Sequence, residues 1–144
     1  MWCNTRDTIN SVSRNWKKIG VTLQSFILSE SSISGIGVFA NKVFTPYEQV
    51  DALPILFIPK KEIELINQTV VGKFYYDWDE ENFALPLGFL SFVNHSYNPN
   101  LLWIPDTDKM VFLAYRRCSI GEELTINYNG QPNDCAKLVN FKVK

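Results

Sequence analysis

His95 is the only histidine of the chain, and it stands with Asn94 where an apolar run, residues 89–93, gives way to the turn-forming residues 96–100. An amide and an imidazole at such a boundary can bind a ligand, because the packed run fixes their position while their other side stays open. The plainer alternative is a buried turn or strand whose histidine is hydrogen-bonded at the edge of the core. This stretch alone leaves both alternatives open.

A pair of glycines, Gly35 and Gly37, precedes a short apolar segment, residues 38–40. Glycine at both positions lets the backbone turn tightly and lets a ligand approach the main chain. The pair lacks the third glycine and the following helix of a dinucleotide site, and no Gly-Lys-Ser/Thr follows as in a phosphate-binding loop. By itself the pattern is equally typical of a hairpin turn.

The three cysteines, Cys3, Cys118 and Cys135, are odd in number and include no Cys-x-x-Cys pair. This disfavours a disulfide framework and indicates a reducing compartment. We predict no metal site, because zinc loops usually present two ligands at close spacing. A cysteine hydrolase that pairs Cys118 with His95 is a further alternative, although no nucleophile turn surrounds Cys118.

Composition limits the class of protein. The chain has 144 residues, of which 46% are hydrophobic, so it suits one domain with a real core. Its 14 basic and 15 acidic residues give a net charge of −1, which supplies no electrostatic footprint for nucleic acid. No apolar run has membrane-spanning length, and the first residues lack a signal-peptide core. We therefore expect an intracellular protein without direct nucleic-acid or membrane binding.

Short alternating apolar segments predict a mostly-β domain. We expect Pro54 and Pro59 to break the apolar segment 49–59 into short, irregular strands. Residues 60–67 fit one or two helical turns. Residues 1–20 show no clear period, and we expect them to form an appendage to the domain. The other predicted strands cover residues 21–28, 38–40, 70–78, 101–104, 109–115 and 122–128. The segment 70–78 could be either one strand or a hairpin.

Three separated motifs resemble, in this order, those of the SET-domain protein lysine methyltransferases. The matching segments are Gly35-Ile36-Gly37-Val38-Phe39-Ala40, Asn94-His95-Ser96-Tyr97-Asn98-Pro99-Asn100 and Gly121-Glu122-Glu123-Leu124-Thr125-Ile126-Asn127-Tyr128. The Tyr-x-Trp pattern at Tyr76-Asp77-Trp78 and the Asn-Tyr-Asn-Gly ending are similar to the short, free-standing SET proteins of bacteria and viruses.

This resemblance implies a β-clip of small curved sheets with short helices, in which the last strand threads under a loop as a C-terminal pseudoknot. It also implies three parts of the chain. Residues 1–20 would be the appendage, residues 21–130 the SET domain, and residues 131–144 a segment that could cover the cofactor site.

The implied activity is the transfer of a methyl group from S-adenosylmethionine to a lysine of a protein. The cofactor would lie against Gly35, Ile36, Gly37, Val38, Asn94 and His95, with Phe141 as the candidate cover for its adenine. The Asn94 side chain would hold its amino-acid end. Tyr128 and Tyr76 would be the catalytic residues at a narrow lysine channel, which Trp103 and Ile126 help to line.

The acceptor implied is a lysine in a protein tail or loop, such as a histone-like or other basic tail. The acidic run Asp77, Asp79, Glu80 and Glu81 would suit a basic peptide electrostatically, although such a run is also typical of a solvated loop. Such a protein would act in the cytoplasm or, on chromatin, in the nucleus. The chain departs from many relatives because residues 129–144 lack a cysteine-rich zinc segment. Trp103 also stands where short relatives commonly have tyrosine, which leaves the degree of methylation open. The alternative from another class is a SET-fold module that binds peptide or cofactor without turnover.

Overall fold

A computed structural model of the protein describes residues 25–138. The predicted appendage, the first residues of the predicted first strand and Phe141 lie outside this range. The strands of the described part are β1 Phe26–Glu30, β2 Ile36–Ala40, β3 Gln49–Pro59, β4 Tyr76–Asp77, β5 Asn82–Pro86, β6 Asn94–His95, β7 Leu101–Asp106, β8 Lys109–Ala114 and β9 Glu123–Ile126. They are joined by the α-helix α1 Ile63–Asn67 and by 3-10 turns at Lys60–Glu62, Val70–Lys73 and Phe89–Phe92. The mostly-β prediction is confirmed.

The first sheet has the strand order β1-β2-β9-β6, so the last strand lies between two strands from distant parts of the chain. It runs antiparallel to β2, where Val38 pairs with Leu124, and parallel to β6, where His95 pairs with Ile126. This insertion is the strand arrangement that the implied pseudoknot requires. It places the three sequence motifs side by side.

The second sheet has the order β4-β5-β3-β8-β7 and is strongly curled. Tyr76 lies on one edge strand, β4, and Trp103 on the other, β7. Their ring centroids are nevertheless 5.7 Å apart. The curl therefore brings the two edges of this sheet together around a pair of aromatic rings.

One apolar core is shared by both sheets. Val38 and Leu124 of the first sheet and Phe112 of the second are fully buried and belong to the same cluster. Leu90 and Val93, from the apolar run before Asn94, are fully buried in it too. Burial of each such side chain stabilises the fold by about 1.5–3 kcal/mol, so the run that precedes the predicted site is firmly anchored.

The prediction of short, irregular strands over residues 49–59 is wrong, because β3 is one strand of 11 residues. It pairs with β8 up to Pro54 and with β5 from Ile55 onward. Proline removes a hydrogen-bond donor from a ladder, and here it stands where the strand exchanges one partner for another. A long strand thus accommodates a proline that would otherwise interrupt it.

The predicted strand or hairpin over residues 70–78 is largely replaced by a helical turn. Val70–Lys73 forms a 3-10 turn, and only Tyr76–Asp77 pairs as β4. The Thr69 hydroxyl accepts a hydrogen bond from the backbone N–H of Val71 and caps the turn. The β-branched and aromatic composition of this segment therefore does not decide its conformation, and the cap at Thr69 is one local contact that favours the turn.

Candidate active site

The Asn94 amide lies at the centre of a group that we call the polar cluster, formed by Asn94, Ser31 and Glu123. Its Nδ2 donates to Glu123 Oε1 at 2.8 Å, to Ser31 Oγ at 3.0 Å and to the carbonyl of Ser34 at 3.1 Å. Ser31 Oγ itself donates to Glu123 Oε1 at 2.7 Å. Because an amide nitrogen carries two hydrogens, the protein already satisfies this donor. The cluster ties the glycine motif and β9 to β6.

The two glycines of the first motif serve different purposes. A Cβ atom at Gly37 would overlap Glu123 Oε1 and lie 2.9 Å from Glu123 Cδ. Gly35 has open space around it, but its φ of +50° is a conformation that other residues adopt only with strain. Gly37 therefore makes room for a carboxylate of the protein, whereas Gly35 permits the turn itself.

The predicted cofactor strip is only partly accessible. Gly35 and Ile36 are exposed, and the side chain of Ile36 is 51% accessible. Gly37 and Val38 are buried within the sheet. A ligand on this strip would thus meet the first two residues, while the next two hold the strand in place.

Tyr76, Trp103, His95 and Tyr128 form a second group, which we call the aromatic cluster. The Tyr128 hydroxyl donates a 2.7 Å hydrogen bond to the carbonyl of Val93. The ring centroid of Tyr128 lies 5.3 Å from that of His95 and 6.4 Å from that of Tyr76. The structure therefore brings both predicted catalytic tyrosines and the predicted channel residue Trp103 together. Ile126, the remaining predicted channel residue, is fully buried in β9, where it pairs with His95.

Burial keeps the titratable members of the aromatic cluster neutral at physiological pH. It raises the pKa of Tyr128 to about 12. The pKa of Tyr76 is raised above its usual range, first by burial and then by the neighbouring Tyr128. Burial lowers the pKa of His95. Each of these groups therefore presents hydrogen-bonding atoms rather than a charge.

Three buried polar atoms have no hydrogen-bond partner within residues 25–138: Ser34 Oγ, His95 Nε2 and Trp103 Nε1. Nearly all buried polar atoms in folded proteins are partnered, so each exception needs an explanation. Ser34 belongs to the glycine loop, and the other two belong to the aromatic cluster. The unpartnered atoms thus lie in the two parts of the chain that the sequence motifs single out, the glycine loop and the surroundings of Tyr128.

The residues after Tyr128 fold back toward the site. The carbonyl of Ala136 accepts hydrogen bonds from the hydroxyl of Tyr97 at 3.2 Å and from Asn129 Nδ2 at 2.7 Å. The Tyr97 ring in turn lies edge-on to that of His95, with centroids 4.4 Å apart. Sequence reasoning did not single out Tyr97 or Ala136. Their contact places this segment next to the predicted cofactor residues.

Asn100, the last residue of the second motif, has a structural role. Its Oδ1 accepts from the backbone N–H of Thr125 at 2.8 Å, and its Nδ2 donates to the carbonyl of Glu123 at 2.7 Å. Both bonds hold the loop after β6 against β9. The Asn-Pro-Asn ending of the motif thus fixes the insertion of the last strand.

The cysteine hydrolase alternative loses its nucleophile. Cys118 is fully buried, and its Sγ lies 3.7 Å from the carbonyl of Asn100. Burial, reinforced by Glu122, raises the pKa of this thiol to about 11. The reactive thiolate is therefore essentially absent at neutral pH.

Two further observations concern other classes of site. Within residues 25–138, no three His, Cys, Asp or Glu side chains are grouped so that they could hold a metal ion. No helix in the same range has the length and apolarity to cross a membrane.

Comparison with known proteins gives a consistent result. The family model for the SET domain matches residues 35–129. A Schizosaccharomyces pombe protein named histone-lysine N-methyltransferase, H3 lysine-37 specific, is 30% identical over 114 residues, which span 77% of this chain and 78% of that protein.

Two solved structures share the fold. A Plasmodium falciparum crystal structure, of a chain assigned as a histone methyltransferase, has a TM-score of 0.62 and 24% identity over 73% of this chain and 93% of its own. A chain from a structure of ctPRC2 has a TM-score of 0.64 and 20% identity over 73% of this chain and 14% of its own. The similarity to bacterial and viral members stays a prediction. This chain belongs to the SET domain family, the family of protein lysine methyltransferases.

Proposed function

We propose that this protein methylates a lysine side chain of a protein acceptor with S-adenosylmethionine, and that transfer takes place at the aromatic cluster. The observation that carries the proposal is the placement of the Tyr128 hydroxyl. It is held against the carbonyl of Val93, directly before Asn94 and His95. The ring of Tyr128 lies next to that of Tyr76, which in turn contacts the ring of Trp103. Methyl transfer needs donor and amine aligned with water excluded, and these residues supply an oriented oxygen in an apolar setting.

We assign cofactor binding to the exposed main chain of Gly35 and Ile36, to the main chain of Asn94 and His95, and to the Asn94 side chain. S-adenosylmethionine, when bound, supplies a methyl group that is already activated by a sulfonium. The unpartnered Ser34 Oγ beside this strip supports the assignment. Gly37 and Val38 would act as its buried support, and Phe141 remains our proposal for the adenine cover.

Tyr128 would orient the acceptor amine through its oxygen. Its hydroxyl donates its hydrogen to the carbonyl of Val93, so toward an N–H of the lysine the oxygen can act only as an acceptor. A pKa of about 12 keeps this hydroxyl protonated at neutral pH, so Tyr128 serves as an oriented dipole rather than as a base.

The amine must be neutral to act as a nucleophile, and a lysine in water has a pKa of about 10.4. Burial among Tyr76, Trp103 and Tyr128 disfavours the ammonium form, because a positive charge is poorly solvated away from water. The lysine Nζ would therefore release its proton to solvent water as it leaves the surface and enter the cluster as the neutral amine. The half-buried Trp103, with its unpartnered Nε1, would set how much space is left for methyl groups on the amine.

A basic segment such as a histone tail is the acceptor class that we propose. The S. pombe relative is named for a histone lysine, and Asp77, Asp79, Glu80 and Glu81 are exposed next to β4. Two of these have partners within the protein: Asp77 pairs with Lys60 at 2.9 Å, and Asp79 accepts bonds from the backbone of Glu81 and Asn82. The loop thus presents its carboxylates on an ordered turn.

The test is methyl transfer from a deuterium-labelled donor to histones and to lysate proteins, read by mass spectrometry, for wild type and Tyr128→Phe. We expect wild type to label lysine and the variant to be slower by about 10²-fold or more in single turnover. Cofactor affinity should be nearly unchanged, and the melting temperature should fall by only about 4 °C for one lost hydrogen bond.

Two outcomes would contradict the proposal. A folded, cofactor-binding Tyr128→Phe variant with wild-type transfer would remove the role of the hydroxyl. Wild type that binds cofactor but labels no protein would instead support the binding-module alternative.

A further inference from the structure

The His95 side chain makes an unusual connection for a residue assigned to the cofactor. Its Nδ1 accepts a hydrogen bond from the backbone N–H of Tyr128 at 3.1 Å. The ring lies between those of Tyr97 and Tyr128, at centroid distances of 4.4 and 5.3 Å. The polar contact of the imidazole is therefore to the main chain of the proposed catalytic residue.

This hydrogen bond fixes the form of the imidazole. An Nδ1 that accepts carries no hydrogen, so in the neutral ring the hydrogen resides on Nε2. Nε2 has no partner within residues 25–138. Of the two ring nitrogens, Nδ1 is thus the one that the described part of the protein uses.

The backbone of Tyr128 depends on this bond because regular pairing has ended. β9 stops at Ile126, and the ladder to β6 closes with a bond from the N–H of Ser96 to the carbonyl of Ile126 at 2.9 Å. Beyond that point the N–H of Tyr128 donates its hydrogen bond to the His95 side chain rather than to a backbone carbonyl of a neighbouring strand. The contacts that hold Tyr128 thus include a bond from its hydroxyl to Val93 and a bond from its amide to His95.

We propose that the His95 side chain is a positioning residue for Tyr128, acting through Nδ1, in addition to the cofactor contacts assigned to its main chain. The inference rests on the proposed function, since it concerns the tyrosine of the same site. His95 would couple the two halves of the reaction. It directly follows Asn94, whose amide is bonded to the carbonyl of Ser34 in the glycine loop, while its own ring would set the position of the residue that orients the amine. A misplacement of about 1 Å at such a residue can cost about 10²-fold in rate.

The experiment compares His95→Asn, His95→Gln and His95→Ala. The amide oxygen of asparagine can occupy the position of Nδ1, whereas glutamine reaches the position of Nε2. The first readout is hydrogen exchange of the Tyr128 amide, followed by NMR in protein labelled with ¹⁵N-tyrosine. The second is single-turnover methyl transfer, with cofactor affinity and melting temperature measured on the same samples.

We expect His95→Asn to retain protection of the Tyr128 amide and to lose less transfer than either of the other two variants. His95→Gln and His95→Ala should exchange about tenfold faster at this amide and lose about tenfold to 10²-fold in transfer, with cofactor affinity nearly unchanged. Rescue by asparagine but not by glutamine is the signature, because a general structural role would not distinguish the two amides.

Equal protection of the Tyr128 amide in the asparagine and glutamine variants would overturn the inference, as would unchanged protection in His95→Ala. The exchange measurement does not require turnover. If wild type transfers no methyl group, the proposed function fails, yet the exchange pattern still decides whether His95 holds Tyr128.

Discussion

The polar cluster around Asn94 and the aromatic cluster around Tyr128 are built on neighbouring residues of one short strand, yet they differ in how far their polar atoms are satisfied. In the polar cluster, the Asn94 amide has three acceptors at 2.8–3.1 Å. In the aromatic cluster, His95 Nε2 and Trp103 Nε1 have no partner in residues 25–138. Successive side chains of a strand point to opposite faces, so β6 serves both clusters with two adjacent residues.

This difference distinguishes a cluster that mainly supports the fold from one that can take part in the reaction. A saturated hydrogen-bond network stabilises a fold but offers little to a ligand, whereas buried unpartnered donors cost free energy unless a ligand pairs with them. We therefore expect substitutions in the polar cluster to act mainly on the free energy of unfolding. Those in the aromatic cluster should act mainly on the reaction.

The largest effect on stability should come from Gly37→Ala. The new Cβ would overlap the Glu123 carboxylate, which cannot move without breaking its bonds to Ser31 and Asn94. We expect the free energy of unfolding to fall by about 2–3 kcal/mol, measured by urea denaturation. Gly35→Ala is the matched control, because it strains φ without a steric overlap and should cost about 1 kcal/mol. Equal losses in the two variants would show that Glu123 is not the obstacle.

Asn94→Ala should have the next largest effect, about 1–2 kcal/mol, because it leaves Glu123 and Ser31 without a shared donor. Calorimetric titration with S-adenosylmethionine on the same samples sharpens the comparison. A polar cluster that only supports the site predicts a lower melting temperature together with weaker binding. Weaker binding at an unchanged melting temperature would instead show that the Asn94 side chain contacts the cofactor directly.

Trp103→Phe should barely change stability, since the ring contact to Tyr76 is retained and an unpartnered N–H is removed. We expect the ratio of mono-, di- and trimethylated product to shift several-fold toward higher methylation, because the smaller ring leaves more space. Mass spectrometry of one peptide substrate measures the ratio, and cofactor affinity is the control. An unchanged product ratio would place Trp103 outside the channel.

The smallest effect concerns pH. Burial lowers the pKa of His95, so the unfolded chain binds this proton more readily than the folded protein does. The His95 contribution to stability is therefore complete above about pH 6.5 and is lost as pH falls from there toward the lower folded pKa. Melting temperatures between about pH 7.5 and pH 5.5 should fall more for wild type than for His95→Asn. Parallel curves for the two proteins would contradict the assignment.

Short alternating apolar segments were enough to predict the mostly-β fold. The resemblance to the SET-domain family, rather than any local pattern, implied the meeting of Asn94 and His95 with Tyr128 and the place of Tyr76 and Trp103 at one channel. The partners of Asn94 were not predictable in the same way. Ser31 and Glu123 are ordinary polar residues whose pairing joins positions 92 residues apart. Such a contact leaves no local pattern in a single sequence, because only the register of β9 between its neighbours creates it.

Errors over residues 49–59 and 70–78 have another origin. Proline and β-propensity describe local preference, and tertiary context decided against both. Pro54 sits where β3 exchanges one partner strand for another, so the strand continues through it. In the second segment the cap at Thr69 favoured a helical turn over a strand. Both wrong predictions thus concern segments in which one side chain, Pro54 or Thr69, has a special position.

The insertion of β9 between β2 and β6 also governs how the chain can be made. During synthesis, β1, β2 and β6 leave the ribosomal exit tunnel before Glu123–Ile126 does. Until β9 emerges, β2 and β6 each have one edge whose backbone hydrogen-bonding groups lack their partner strand. Unpaired edges are templates for association with other chains, and pairing across such sequence separation is slow. Completion of the first sheet is therefore a late event in biosynthesis. A nascent chain that terminates before Glu123 displays both edges at once, and a cell has to shield or degrade it.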